Sequence, residues 1–203
     1  MVPLPRLYAI LDRSCFPDKE TLFRCAVELV SAGVTLLQYR NKTDNARQKL
    51  DEANELRHRF PAIKLIMNDR ADLCLAVDYN GLHVGQDDLS AESARKIIGP
   101  DRLLGVSTHH AVQVRAADQT SADYIAIGPV FATTSKTNPD PVIGLEGVRN
   151  ARRLTNKPLV AIGGITRANG RSVIEAGADS VAVISDLVRD PRKSAEEFLR
   201  ILR

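Results

Sequence analysis

Tryptophan is absent from this 203-residue chain, and aromatic residues make up only 4% of it. No polybasic run occurs either, so the stacking platforms and basic stripe of a nucleic-acid binder are missing. No apolar run approaches the ~18 residues needed to span a membrane. The opening MVPLPRLYAILD lacks the basic start and long apolar core of a signal peptide. Cysteine is sparse: Cys15, Cys25 and Cys74 are odd in number and form no CxxC pair. That pattern points to reduced thiols in a cytoplasmic protein rather than a disulfide framework or a cysteine-bound metal. An excess of one charge is also lacking, with 28 basic against 25 acidic residues. Partners are therefore expected to be small molecules, with no nucleic acid and no membrane, although an oligomer remains open. A few lysines and arginines gathered in a pocket could still bind a small anion.

What the chain does have is 44% apolar residues, enough for one good core. No shift in composition marks a boundary, so 1–203 reads as a single domain. The stretch 66–88, IMNDRADLCLAVDYNGLHVGQDD, organises the rest. Two short apolar runs, 64–67 and 81–85, each end in polar residues, and 71–77 between them is long enough for about two helical turns. Parallel strands joined by a helix end on the same side of a sheet. Asp69 and Asp88 can therefore face one pocket. Facing carboxylates repel unless a cation or proton lies between them. One or two carboxylates with several waters suit Mg²⁺, usually shared with substrate phosphates.

The same alternation runs through the chain. Strands are expected at 6–12, 35–40, 64–67, 81–85, 103–108, 124–130, 159–164 and 180–185. Helices are expected at 19–32, at 43–60 with Thr43 as its cap, and at 71–77, 90–98, 109–120, 145–154, 167–176 and 186–202. Eight apolar, β-branched strands alternating with eight helices predict an α/β fold, a single (β/α)₈ TIM barrel.

In such a barrel the active site lies at the C-terminal ends of the strands. The residues expected there are Gln38, Arg40 and Lys42, then Asn68, Asp69, Gln86 and Asp88. Ser107, Thr108 and His109 follow, then Thr133, Thr134, Ser135 and Lys136, and finally Gly163, Gly164 and Ser185. Gly163-Gly164 and Ser185 point to a phosphate cradle, because loops after strands seven and eight of barrels often bind phosphate through backbone N–H groups. Arg40, Lys42 and Lys136 form a second positive group near Asp69 and Asp88. A magnesium-bridged diphosphate clamped by these cations would satisfy all five charges. His109 and His110 are candidates for acid/base work or for plain rim and cap positions. Asp12 is expected to form a supporting salt bridge, His83 to face the core or support a ligand-binding residue, and Asp87 to face solvent or cap a helix.

Seven segments in this order resemble the thiamine phosphate synthase family: QYRNK (38–42), IMNDR (66–70), HVGQDD (83–88), GVSTH (105–109), GPVF (128–131) with TTSK (133–136), AIGGI (161–165) and VIS (183–185). The resemblance covers nearly the whole chain. It implies a transferase that joins 4-amino-2-methyl-5-(diphosphooxymethyl)pyrimidine to 4-methyl-5-(2-phosphooxyethyl)thiazole, or its 2-carboxy form, releasing diphosphate and thiamine phosphate. By the same resemblance Asp69 and Asp88 hold Mg²⁺. Arg40, Lys42, Asn68 and Lys136 bind the diphosphate, and Gln38 and Ser107 address the pyrimidine. Thr133, Thr134, Ser135, Gly164, Ile184 and Ser185 hold the thiazole phosphate. Tyr39 and Asn41, inside the first segment, are carried along as substrate-binding. Arg40, Lys42, Ser107 and Lys136 would be the catalytic set.

The chain departs from the family pattern at Ala132, where proline often stands, at Ser135, where threonine is usual, and at Asp186, where a small residue is usual. A carboxylate at 186 would oppose phosphate binding unless it turned outward to cap the last helix. A thiazole tautomerase-like relative of the same barrel relies on a histidine where this chain has Pro129. Sugar-phosphate isomerases and epimerases need an acid/base pair that the rim residues do not supply, and a catalytically dead phosphate sensor would have no need of every charged ligand.

Overall fold

The computed structural model of the chain describes residues 4–43, 45–133 and 140–203. Eight parallel strands close on themselves in sequence order. They are β1 (Leu7–Asp12), β2 (Leu36–Arg40), β3 (Lys64–Asn68), β4 (Gly81–Val84), β5 (Leu103–Thr108), β6 (Tyr124–Ile127), β7 (Leu159–Ile162) and β8 (Ser180–Val183). β8 returns to β1 with Leu7 opposite Val181, so no edge is left unpaired. Among the described residues the helices outside are α1 (Lys19–Ser31), α2 (Ala46–Arg59), α3 (Ala71–Ala76), α4 (Ala91–Ile98), α5 (Ala111–Asp118), α6 (Gly144–Arg152), α7 (Gly170–Glu175) and α8 (Pro191–Ile201). The architecture is the (β/α)₈ barrel expected from the alternation.

Side-chain alternation divides each strand between two layers. Outward residues such as Leu11, Leu37, Leu65, Leu82, Leu104, Ile125, Ala161 and Val181 pack with the helices in one large apolar cluster. Inward residues Tyr8, Ile10, Leu36, Ile66, Tyr124, Ala126, Val160 and Ala182 form a smaller cluster inside the barrel. Small inward positions make that interior possible. Gly105 lies opposite Tyr124 in the β5–β6 register, and a Cβ there would sit 2.0 Å from the Tyr124 ring. At Gly81 a Cβ would meet the Leu103 carbonyl oxygen at 2.4 Å.

Helix ends follow capping chemistry, with some shifts from expectation. Asp18 accepts from Thr21 N at 2.8 Å to start α1, and Ser90 accepts from Ser93 N at 3.2 Å to start α4. Thr43 does not cap α2. Its hydroxyl and N–H both donate to the Asn41 side chain, and Asn45 takes the cap by accepting from Gln48 N at 3.0 Å. The last helix does not start at 186. Residues Ser185–Leu187 form a 3₁₀ turn, and α8 begins at Pro191, whose missing N–H suits a first helical position. α5 and α7 likewise begin later than their apolar periodicity implied, behind a bend at 109–110 and a turn at 167–169.

Gly81→Ala is expected to push β4 from β5, because the methyl would collide with backbone rather than with a movable side-chain tip. The loss should be at least about 1–3 kcal/mol, as overpacking costs, read from urea unfolding; an unchanged midpoint would contradict the packing described.

Candidate active site

A cavity opens at the C-terminal end of the barrel, as the fold class requires. On one side it is walled by Gln38, Arg40 and Lys42 from the β2 end, Asn68 and Asp69 from β3, Gly85 and Asp88 after β4, and Ser107 from β5. On the other side lie Pro129, Gly163, Gly164, Ile184 and Ser185, and Thr133 completes the rim. Ile10, Ala126, Val160 and Ala182 give it an apolar floor.

Asp69 reaches this cavity by breaking the alternation of its strand. Asn68 faces inward, so its neighbour would ordinarily point out to the helices. Asp69 instead adopts φ 62°, a left-handed conformation that aspartate tolerates better than most residues. Its N–H is held by the His83 carbonyl at 2.8 Å. Both neighbours therefore line the cavity. Asp88 is fixed by the Gly85 N–H at 2.8 Å. The two carboxyl groups lie within hydrogen-bonding reach of one another, and Lys42 forms an ion pair with Asp69. Burial and then the Asp88 carboxylate raise the Asp69 pKa, with Lys42 opposing. Burial pushes Asp88 upward as well, but the hydrogen bonds from Asp69 and from Gly85 N–H outweigh it and leave Asp88 below the ordinary range. Beside them the Asn68 amide nitrogen is buried with no hydrogen-bond partner. Such an orphan donor costs about 1–3 kcal/mol unless a ligand takes it.

Arg40 is held at the rim by an ion pair with Asp12, and Asp12 is itself bound by the Ser14 N–H and hydroxyl. Across the cavity, Gly163 and Gly164 take φ 100° and 62°. A Cβ on Gly163 would sit 2.5 Å from Pro129, and one on Gly164 2.4 Å from the Ala132 carbonyl oxygen. Only glycine permits that close passage between the loops after β6 and β7. Asp186 does not cap the last helix. Both its oxygens receive Arg167, through the backbone N–H at 2.9 Å and the guanidinium at 3.1 Å and 3.3 Å, so its charge is neutralised behind Ser185.

The positions carried along inside the second strand need correction. Tyr39 and Asn41 do not line the cavity. Odd-numbered residues of β2 face the helices, so the Tyr39 hydroxyl donates to Glu52 of α2, and the Asn41 amide donates to Tyr39 at 3.0 Å and to Glu52 at 3.4 Å. Arg13 closes this cluster on Glu52 at 3.0 Å. Thr134, Ser135 and Lys136 lie outside the described residues. His83 sits beneath the cavity, bonded to Ser107 at 2.8 Å and to Tyr124 at 3.0 Å. His109 lines the cavity with Nδ1 between the Gly128 carbonyl at 2.7 Å and Asp140 at 3.3 Å. His110 is exposed ahead of α5 and Asp87 is exposed. Sequence reading missed Asp140, Tyr8 and Tyr124; an inward-phased tyrosine in two apolar strands was the one available signal for the last two.

A barrel whose rim joins paired carboxylates and cations to a glycine cradle belongs to the class of enzymes that handle phosphorylated substrates. Residues 7–187 match the family model described as thiamine monophosphate synthase. A thiamine-phosphate synthase of Koribacter versatilis is 60% identical over 203 residues, covering 98% of this chain and 96% of that protein. A thiamine-phosphate synthase of Chloroflexus aurantiacus is 43% identical over 201 residues, covering 97% and 92%. Among solved structures, a thiamine phosphate pyrophosphorylase from Pyrococcus furiosus superposes with a TM-score of 0.84 at 35% identity, over 97% of this chain and 95% of that one. The chain belongs to the thiamine monophosphate synthase family.

Tyr39→Phe removes the phenolic donor from the buried Glu52 carboxylate. The expected loss is about 1–3 kcal/mol of stability with an unchanged KM for substrates, checked by thermal unfolding beside steady-state kinetics; a KM rise would return Tyr39 to the cavity.

Proposed function

We propose that this enzyme condenses 4-amino-2-methyl-5-(diphosphooxymethyl)pyrimidine with 4-methyl-5-(2-phosphooxyethyl)thiazole, or its 2-carboxy form, into thiamine phosphate and diphosphate with the help of Mg²⁺. The observation that carries this reading is the pair of carboxyl groups, Asp69 and Asp88, within hydrogen-bonding reach of one another in a cavity wall that also holds Lys42 and the unpartnered Asn68 amide nitrogen. Among the described residues no cluster of three or more potential metal ligands exists. A two-carboxylate set is the donor chemistry of an ion that keeps waters and shares phosphate oxygens with its substrate. Bound there, Mg²⁺ would neutralise charge on the departing diphosphate.

The chain's own residues have four tasks. Asn68 supplies its free N–H to a diphosphate oxygen, while Arg40 and Lys42 offset the remaining charge. Lys136, assigned from sequence, would close the clamp. Gln38 and Ser107 orient the aminopyrimidine, whose electron-rich ring stabilises the methylene cation as the C–O bond breaks. Gly164, Ile184 and Ser185, with Thr133, Thr134 and Ser135, hold the thiazole phosphate so that the thiazole nitrogen attacks that carbon. Burial of the ring-binding floor among Ile10, Ala126, Val160 and Ala182 keeps water from capturing the cation. Positioning and charge neutralisation thus do the work that a nucleophile or strong base would do elsewhere. No helix of the described residues is long and apolar enough to cross a membrane.

The direct test mixes the purified protein with both substrates and Mg²⁺ and looks for thiamine phosphate by mass spectrometry; its absence would refute the assignment. Asp69→Ala and Asp88→Ala should each abolish magnesium-dependent diphosphate release while circular dichroism stays native. Normal turnover by either variant would remove the metal assignment. Lys136→Ala should raise KM for the pyrimidine diphosphate, lower kcat, or both, and unchanged kinetics would place Lys136 outside the site.

A further inference from the structure

Five side chains from five strands form one continuous hydrogen-bonded line beneath the cavity. Gln38 Nε2 donates to the Tyr8 hydroxyl at 2.8 Å, and the Tyr8 and Tyr124 hydroxyls meet at 3.0 Å. Tyr124 meets His83 Nδ1 at 3.0 Å, and His83 Nε2 meets Ser107 Oγ at 2.8 Å. Gln38 and Ser107, the two ends, line the cavity, and Tyr8 and His83 between them form part of its wall. Tyr8 and Tyr124 are each only 1% exposed, so water does not complete their bonding. Burial also raises both phenol pKa values, which keeps each hydroxyl neutral with one proton to give.

One proton per link gives the line a direction. With Gln38 donating to Tyr8, the Tyr124 hydroxyl is the acceptor left for the buried Tyr8 proton, and Tyr124 in turn donates to Nδ1 of His83. The imidazole then carries its hydrogen on Nε2 and donates to Ser107. What remains for the cavity is the carbonyl oxygen of Gln38, an acceptor, with the second N–H of its amide beside it, and the hydroxyl hydrogen of Ser107, a donor. To present the reverse pair, the Gln38 amide must turn over and all four links must reverse together, a cooperative change.

We propose that Tyr8 and Tyr124 are positioning residues that fix the hydrogen-bond polarity of the pyrimidine wall, so that the site selects a 4-amino- over a 4-oxo-pyrimidine diphosphate. An aminopyrimidine offers an amino donor beside a ring-nitrogen acceptor. The 4-oxo ring offers a carbonyl acceptor beside an N–H donor, the opposite order. The inference rests on the reading that Gln38 and Ser107 address the pyrimidine. Tyr124→Phe keeps the ring that fills the space beside Gly105 but cuts the line, so Gln38 and Tyr8 can turn over alone. Tyr8→Phe frees Gln38 altogether.

The test measures KM for the 4-amino substrate and the competitive inhibition constant of the 4-oxo diphosphate at about pH 8, above the ordinary imidazole range. Wild-type protein should favour the amino ring by at least about tenfold, the scale on which mispaired polar groups discriminate. Each Phe variant should shrink that preference about fivefold or more, with KM for the thiazole phosphate unchanged. Two variants are used so that the poor folding of one leaves the other to decide. A preference unchanged in a folded variant would overturn the proposal, as would a wild-type protein that does not discriminate. Failure of wild-type protein to make thiamine phosphate would overturn both this inference and the functional reading, whereas normal synthesis with unchanged preference would overturn this inference alone.

Discussion

Two carboxyl groups held within hydrogen-bonding reach of one another are the constraint around which the rim of this barrel is built. Asp69 and Asp88 cannot sit together in a partly buried wall without compensation, and three separate devices supply it. The Gly85 N–H binds Asp88, Lys42 pairs with Asp69, and Asp69 hydrogen-bonds Asp88 once the left-handed turn has swung its carboxyl group into the cavity instead of into the helical shell. Each device depends on the β3–β4 register, since the turn is pinned by the carbonyl of His83, which stands opposite Asn68. Arg40 needs its own anchor, Asp12, one strand away. The rim therefore holds charge in local pairs.

The cavity divides its chemistry by strand number. The ends of β2 to β5 carry most of the charged and amide groups, and the ends of β6 to β8 carry glycines, isoleucines and hydroxyls, with Asp140 the charged exception among the described residues. A closed barrel places these halves face to face across a narrow interior. On the second half Gly163 and Gly164 bring two loops together with backbone alone, adding no charge of their own. Asp186, the one acidic residue next to Ser185, is withdrawn by Arg167, whose guanidinium also reaches Glu197 at 2.7 Å. That ion-paired corner lets a carboxylate follow the hydroxyl without opposing an anion there.

Much of this was legible in the sequence, because period-two and helical patterning are local signals. All eight strands fall within a few residues of where the apolar runs placed them, and Asp69 and Asp88 do share a pocket. Legibility failed where a contiguous motif was read without its alternation. Tyr39 and Asn41 sit within a functional segment but on the outer face of β2, where Glu52 claims them. It also failed where one turn precedes a helix, as at Asn45 and Pro191, since apolar periodicity does not report capping. Pairings between distant segments leave no local trace. Asp140 beside His109 and Tyr8 against Tyr124, 116 positions apart, become visible only once the barrel closes.

The scarcity of aromatic residues sharpens the meaning of the tyrosines that remain. All four, Tyr8, Tyr39, Tyr79 and Tyr124, are at most 1% exposed, and each hydroxyl has a named partner. A buried phenol without one would cost about 1–3 kcal/mol, so phenylalanine would be the simpler core residue at each position. Tyr39 and Tyr79 tie strand or loop to α2, through Glu52 and the Ala53 carbonyl. Tyr8 and Tyr124 tie nothing to the outer shell. Their oxygens lead from Gln38 to His83 across the barrel interior, in a layer that Gly105 keeps open by having no side chain. A polar line in that place adds little that an apolar layer would not add to stability. Its distinguishing physical property is that the two groups at its ends cannot choose donor or acceptor independently.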